Sequence, residues 1–206
     1  MGQVSSTQQT PAEPALAWVE LKDWNERSAW YRAVVAAYGD LWEGHAKQAR
    51  ISPAAEQDLA TLETRLGCAL PEGLRRYNLE LGALSLAETL CSAGESATPI
   101  EPLRDAYPGI VEIVSEPDDL ALVDALVAFG DYLGNGNMFC FHRITGAVYY
   151  FDHDSGAPLV RFADSVEEYL DALMIRCLGE VHDQERAAET LLVNRFGDAL
   201  VRKWLY

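Results

Sequence analysis

Asp152-His153-Asp154, with Asp131 and His142, is the group of side chains in this chain best suited to bind a metal or move a proton. Zinc takes three or four His, Cys or carboxylate ligands on converging elements. Adjacent residues of a strand point to opposite faces, so Asp152 and His153 do not readily share one ion. Calcium held by Asp152, Asp154 and a loop carbonyl is the metal reading that survives. The competing reading is structural: Asp152 or Asp154 closes the turn before Gly156 through side-chain-to-backbone bonds. His153 would then be a packed histidine bonded to backbone. The residues favour this second reading.

Other chemistries find less support. Gly134-Asn135-Gly136 has the composition of a phosphate-cradling loop, but that site needs a helix N-terminus after the glycines. Here a strand follows, so these glycines predict a positive-φ turn. The chain has no G-x-S-x-G elbow. A triad would have to use His142 or His153 rather than His45 or His182, and no serine lies in a context that nominates it. The expectation is a protein that is not an enzyme, with no catalytic residue, no metal ligand and no cofactor. A small-ligand or metal-binding enzyme is the lesser alternative.

The elements that must position these residues are legible between Leu126 and Leu173. Met138 to Arg143 and Val148 to Phe151 are rich in aromatic and β-branched residues and predict two strands. Phe139 and Phe141 point one way and Met138 and Cys140 the other; Val148/Tyr150 and Tyr149/Phe151 repeat the pattern. Strands apolar on both faces are central and covered on both sides. Ile144-Thr145-Gly146-Ala147 predicts a tight hairpin in which Gly146 takes positive φ. Ser165-Val166-Glu167-Glu168 is a capping box that opens a helix running to about Leu178.

Around this segment, residues 1–14 read as a disordered tail and 15–50 as a helical extension dense in aromatics. Trp30, Val34, Tyr38 and Trp42 recur every four residues, although Gly39 interrupts the row. This stripe either packs against the main domain or forms a docking surface for another protein. Ser52-Pro53 predicts a helix start, Ala55, Leu59, Leu62 and Leu66 its apolar face, and Gly67 its end. A second helix follows from Leu70-Pro71 to about Leu81. Residues 82–107 read as a long irregular connection, Ile110–Val114 as a strand, and Leu120–Phe129 as a helical turn feeding another strand. The domain of 51–178 is followed by a C-terminal helical extension, 179–206, in which 183–196 and 199–205 read as one or two amphipathic helices.

The chain of 206 residues is 49% hydrophobic and carries a net charge of −16. The imbalance is local: residues 51–178 hold 7 basic and 21 acidic side chains, a net of −14, while each flank carries −1. Such a field opposes nucleic acid and anionic membranes and draws in basic partners. Acidity also keeps a protein in solution, which is the plainer explanation. Cys68, Cys91, Cys140 and Cys177 form no C-x-x-C pair, so buried thiols in a reducing, cytoplasmic setting fit best. The start of the chain lacks a secretion signal, its Met1-Gly2…Ser6 match to a lipidation pattern is too permissive to carry weight, and no apolar run is long enough to span a membrane.

The order helix, Leu66-Gly67, Leu70-Pro71, helix, Phe129-Gly130-Asp131, Gly134-Asn135-Gly136-Asn137, aromatic strand, Gly146-Ala147-Val148-Tyr149, Phe151-Asp152-His153-Asp154 and a capped helix resembles the SUKH superfamily. That group includes Smi/Knr-type cell-wall regulators and many bacterial immunity proteins. The resemblance covers about residues 51–175. One departure is Leu81-Gly82-Ala83, where members commonly place Asn-Gly after the second helix. The resemblance implies an α+β fold, a mostly antiparallel curved sheet with helices packed against it. It also implies an immunity protein that binds a cognate toxin, often a nuclease and commonly basic, and covers its active site. A regulatory scaffold working through the aromatic N-terminal segment is the alternative. The expected partner-binding surface is acidic and drawn from strand ends and loops: Asp131, Asn135, Asn137, Asp152 and Asp154, with Glu112, Glu116, Asp118 and Asp119 as further candidates.

Overall fold

The computed structural model describes residues 16–41, 51–82, 84–85, 89–90, 99–132 and 135–205. In chain order its elements are α1 (Trp24–Leu41), α2 (Glu56–Leu66), α3 (Glu72–Glu80), β1 (Leu84–Ser85), β2 (Thr89–Leu90), β3 (Glu101–Pro102), α4 (Leu103–Ala106), α5 (Ile110–Ile113), α6 (Pro117–Ala125), β4 (Leu126–Tyr132), β5 (Asn137–His142), β6 (Val148–Phe151), β7 (Leu159–Ala163), α7 (Val166–Val181), α8 (Glu185–Phe196) and α9 (Asp198–Leu205). The fold is α+β. Among the described residues one sheet runs β1-β2-β4-β5-β6-β7, with β3 also against β4, and every strand pairing is antiparallel. No helix among these residues is long and apolar enough to cross a membrane.

The two-sided apolar pattern of the central strands is explained by two cores. Val127, Phe129, Phe139, Phe141, Val148 and Tyr150 face the larger one, built with α1, α2, α3, α7, α8 and α9. Leu126, Ala128, Cys140 and Phe151 face the smaller one, closed by Leu103, Ile110, Val114 and Val123 of the α4–α6 segment. A register shift between Ala128 and Gly130 interrupts the β4–β5 ladder, and another between Val148 and Tyr149 interrupts the β6–β7 ladder. Gly146 takes φ 71° in the β5–β6 turn, as the hairpin requires. Ser165 Oγ accepts from the Glu168 N–H (3.2 Å), while Glu168 Oε2 accepts from the N–H of Asp164 (3.0 Å), one residue earlier than a standard capping box.

Several expectations are corrected. Ile110–Val114 is a helical turn: the Val114 N–H donates to the Ile110 carbonyl (2.8 Å). Its burial falls on Ile110, Ile113 and Val114 while Val111 and Glu112 are exposed. That is i, i+3, i+4 spacing, which five residues cannot separate from strand alternation. Ser52-Pro53 does not open α2. Ser52 forms a parallel bridge with Gly82, and the Ala54 N–H donates to the Asn78 carbonyl (2.8 Å). The chain is thus tied to the end of α3 before the helix begins at Glu56. Gly82 has φ +74°, and a Cβ there would overlap the Ser52 carbonyl. The glycine that ends the second helix is therefore required despite the changed residue before it.

β7 is an element the sequence did not announce. Leu159-Val160-Arg161-Phe162-Ala163 pairs with β6 directly after the Asp152–Pro158 turn. The span read as an irregular connection contains β1, β2, β3 and α4 among its described residues. The N-terminal helix runs through Gly39 to Leu41; Trp42 and residues 1–14 lie outside the described residues.

Candidate functional site

Where β5 begins and β6 ends, four of the nine expected site residues are linked. The Asn135 side-chain oxygen accepts from the Asn137 N–H (2.9 Å). Asn137 Oδ1 accepts from the His153 N–H (3.2 Å) and lies 2.8 Å from His153 Nδ1. An oxygen has only acceptor character, so the proton of that second bond sits on Nδ1. Asn137 Nδ2 donates to the Tyr150 hydroxyl (3.2 Å). His153 Nε2 faces Asp154 Oδ2 at 3.4 Å. The ring also packs near Tyr107 (centroids 5.7 Å apart), which stands edge-on to Phe151 (5.1 Å). His153 is thus fixed by a side-chain amide and an aromatic ring, not by backbone.

Asp152 closes the turn. Its Oδ1 accepts from the Asp154 N–H (3.2 Å), and its carbonyl accepts from Ser155 N–H (3.3 Å). Its Oδ2 lies 3.4 Å from Lys203 Nζ, which also donates to the Ala157 carbonyl (2.7 Å). A lysine of the last helix therefore clamps this loop. The side-chain bonds of Asp152 and Asn137 run within the turn and to its neighbours, so both hold the loop's shape. Asp154 and Asn135 are the exposed members of the group, although the Asn135 oxygen is taken up by Asn137 and Asp154 faces His153. Asp131 lies on β4 opposite Met138 and Thr89.

Glu112, Glu116, Asp118 and Asp119 form a second, exposed group on the α5–α6 segment. Glu116 stands at the N-cap of α6 and Asp118 and Asp119 in its first turn, where carboxylates meet the positive end of the helix dipole. The link between the two groups is Tyr107, which touches His153 and leads through Gly109 into α5. Among the described residues, no group of three His, Cys, Asp or Glu side chains is placed to hold a metal ion.

The most connected polar cluster was not among the expected residues. Arg27 of α1 grips both carboxylate oxygens of Asp171 on α7 (2.9 and 3.0 Å), and the Tyr31 hydroxyl donates to the same carboxylate (2.7 Å). The bond to Asp171 raises the Arg27 pKa, and burial, followed by the Asp171 charge, pushes Tyr31 well above 10. Glu80 at the end of α3 accepts from Trp24 Nε1 and Ser28 Oγ, and its carbonyl accepts from Arg32 (2.8 Å). Tyr38 donates to Glu180 (2.9 Å). Tyr31, Val34, Val35 and Tyr38 are buried against this surface. The aromatic row of the N-terminal segment is therefore largely spent inside the molecule. Only its polar residues, paired across 48 to 144 positions, could have signalled this, and one sequence does not show such pairing.

Residues 53–172 match the model of the SMI1 / KNR4 family (SUKH-1). No curated protein and no solved structure matches the chain.

Proposed function

The chain belongs to the SMI1 / KNR4 family (SUKH-1), and from that premise we propose that it is an immunity protein which binds a cognate toxin and performs no chemistry of its own. Family membership is the observation that carries this reading. The local charge of −14 over residues 51–178 supports it, because a toxin that grips phosphates is basic and would be drawn to this domain. The exposed acids Asp154, Glu112, Glu116, Asp118 and Asp119 are the side chains offered to such a partner. Asn135 and Asp131 complete the proposed surface, while Asn137 and Asp152 keep its shape.

The test is co-expression. The C-terminal domain of a large modular protein encoded beside this gene should arrest growth alone and be tolerated when this chain is present. A harmless domain, or one whose toxicity this chain does not relieve, would remove the immunity reading. A regulatory role of the Smi/Knr type is the second reading, favoured by the family description itself. The buried state of Tyr31, Val34, Val35 and Tyr38 argues against that role working through an exposed aromatic face of α1.

A further inference from the structure

The turn joining β5 to β6, at the opposite end of those strands from the Asn137–Asp154 group, is held with unusual care. His142 Nδ1 accepts from the N–H groups of Ile144 (3.2 Å) and Thr145 (3.3 Å). The Gly146 N–H donates to the His142 carbonyl (2.9 Å). Arg143 pins the turn to the body of the protein: its own N–H donates to the Ala125 carbonyl (2.9 Å), and its Nη1 to the carbonyl of Leu66, the last residue of α2 (2.7 Å). A guanidinium there meets the negative end of the helix dipole.

On this rigid mount Ile144 stands 88% exposed, well beyond the other exposed large hydrophobics, Leu41 and Val111. Beside it runs a groove of about 380 Å³ between the turn, the α2–α3 connection and the first turn of α7, lined by Leu70 and Pro71 and by Glu72, Asp164 and Glu167. The cation of the lining is Arg143, whose guanidinium is engaged with Leu66. Glu72 pairs with Arg76 and Asp164 with Arg161, but both pairs are solvent-exposed and give way at little cost to another cation. An aliphatic side chain already ordered loses little freedom on docking, which is what makes it an effective anchor.

We propose that this groove docks a cationic loop of a partner protein. An aliphatic side chain of that loop packs on Ile144, Leu70 and Pro71, and its Lys or Arg faces Glu72, Asp164 and Glu167. The proposal rests on the toxin-binding reading and places a second contact far from the acidic strand ends.

Photo-crosslinking in the native host, with benzoylphenylalanine at position 144 of the full chain and at Leu41, exposed but outside both proposed surfaces, as the comparator, tests it. The expected result is an adduct at 144, absent at 41, to a partner segment carrying Lys or Arg next to an aliphatic residue. In the purified complex, Ile144→Asp and Glu167→Lys should each weaken binding at least tenfold, the first with melting temperature unchanged and the second with a fall of only a few degrees, because Glu167 lies in the first turn of α7. No adduct at 144, an adduct to a second copy of this chain, or unaltered affinity for both variants would overturn the groove. The two readings fail differently. A cross-linked partner that is harmless when expressed alone removes the immunity reading and leaves the groove. A toxic partner bound and neutralised equally by Ile144→Asp removes the groove and leaves immunity.

Discussion

The seam between α1 and α7 and the end of the sheet where β5 begins and β6 finishes are both built from carboxylates and aromatic rings, yet they use them in opposite ways. At the seam Asp171 is enclosed, its side chain 9% exposed, and meets Arg27 and Tyr31 together. At those strand ends Asp154 is 87% exposed and faces only His153. A shielded carboxylate that loses its partners keeps its desolvation cost, whereas an exposed one returns to water. The first arrangement therefore specifies how the molecule is assembled, and the second leaves charge available for something outside it.

That contrast is broken most severely by removing α1. Truncation after Leu41 would expose the surface now covered by Tyr31, Val34, Val35 and Tyr38 and strand Asp171 and Glu80 without their partners. The expected outcome is loss of the cooperative thermal transition, measured by circular dichroism, even though the family match begins at residue 53. A truncated chain that melts like the full one would show the helix to be a separable appendage. Next in size is Asp171→Ala, which strips Arg27 of its carboxylate and leaves the Tyr31 hydroxyl only its long contact with the Glu167 carbonyl (3.4 Å). A loss of about 3 kcal/mol is expected, or roughly 6–12 °C in melting temperature for a chain of this size. Asp154→Ala should change it by under about 0.5 kcal/mol, and equal effects at the two sites would erase the distinction.

The difference in legibility follows the same division. The central hairpin, the caps at Gly67 and Ser165 and the sidedness of Phe139 and Cys140 rest on local rules, so they are readable from neighbouring residues. Ile110–Val114 misleads because Ile-Val-Glu-Ile-Val satisfies two periods at once. Ser52-Pro53 misleads because the pairing of Ser52 with Gly82 outweighs a good local cap. At the strand ends the sequence singles out one polar loop but cannot separate Asp152, which braces it, from Asp154, which does not. The bonds of Arg27 to Asp171 and of Lys203 to Asp152 join residues remote in the chain, and nothing local announces them.

Two buried tyrosines near the seam sharpen the comparison at high pH. Burial raises both Tyr31 and Tyr77 well above the ordinary value of 10. In the folded chain they keep their protons where the unfolded chain would release them. Their stabilising effect is thus whole below pH 10 and declines as pH rises beyond it. Urea unfolding at pH 8, 10 and 11 should show this decline. The Tyr77 hydroxyl has no hydrogen-bond partner among the described residues, so Tyr77→Phe should be nearly neutral at pH 8 and should flatten the alkaline loss. Tyr31→Phe should instead cost about 1 kcal/mol at pH 8, because its bond to Asp171 is real. Matching behaviour of the two variants at pH 8 would contradict these assignments.

A modest effect on stability is expected where the effect on binding should be largest. Reversing Glu112, Glu116, Asp118, Asp119 and Asp154 together to Lys touches side chains that are all exposed. Glu116, Asp118 and Asp119 do favour the start of α6, so a loss of about 1 kcal/mol from the helix dipole is expected, small beside that of Asp171→Ala. The Kd for a basic partner should nevertheless rise tenfold or more, about 1.4 kcal/mol, with most of the change in the association rate and at low salt. Asp152→Asn belongs outside this set, since its carboxylate meets Lys203 and holds the turn; it should weaken binding only by loosening the loop, without the salt dependence. Affinity unmoved by the five-fold reversal at low salt would show that this acidic face is solvation alone, and would leave partner recognition to other parts of the surface.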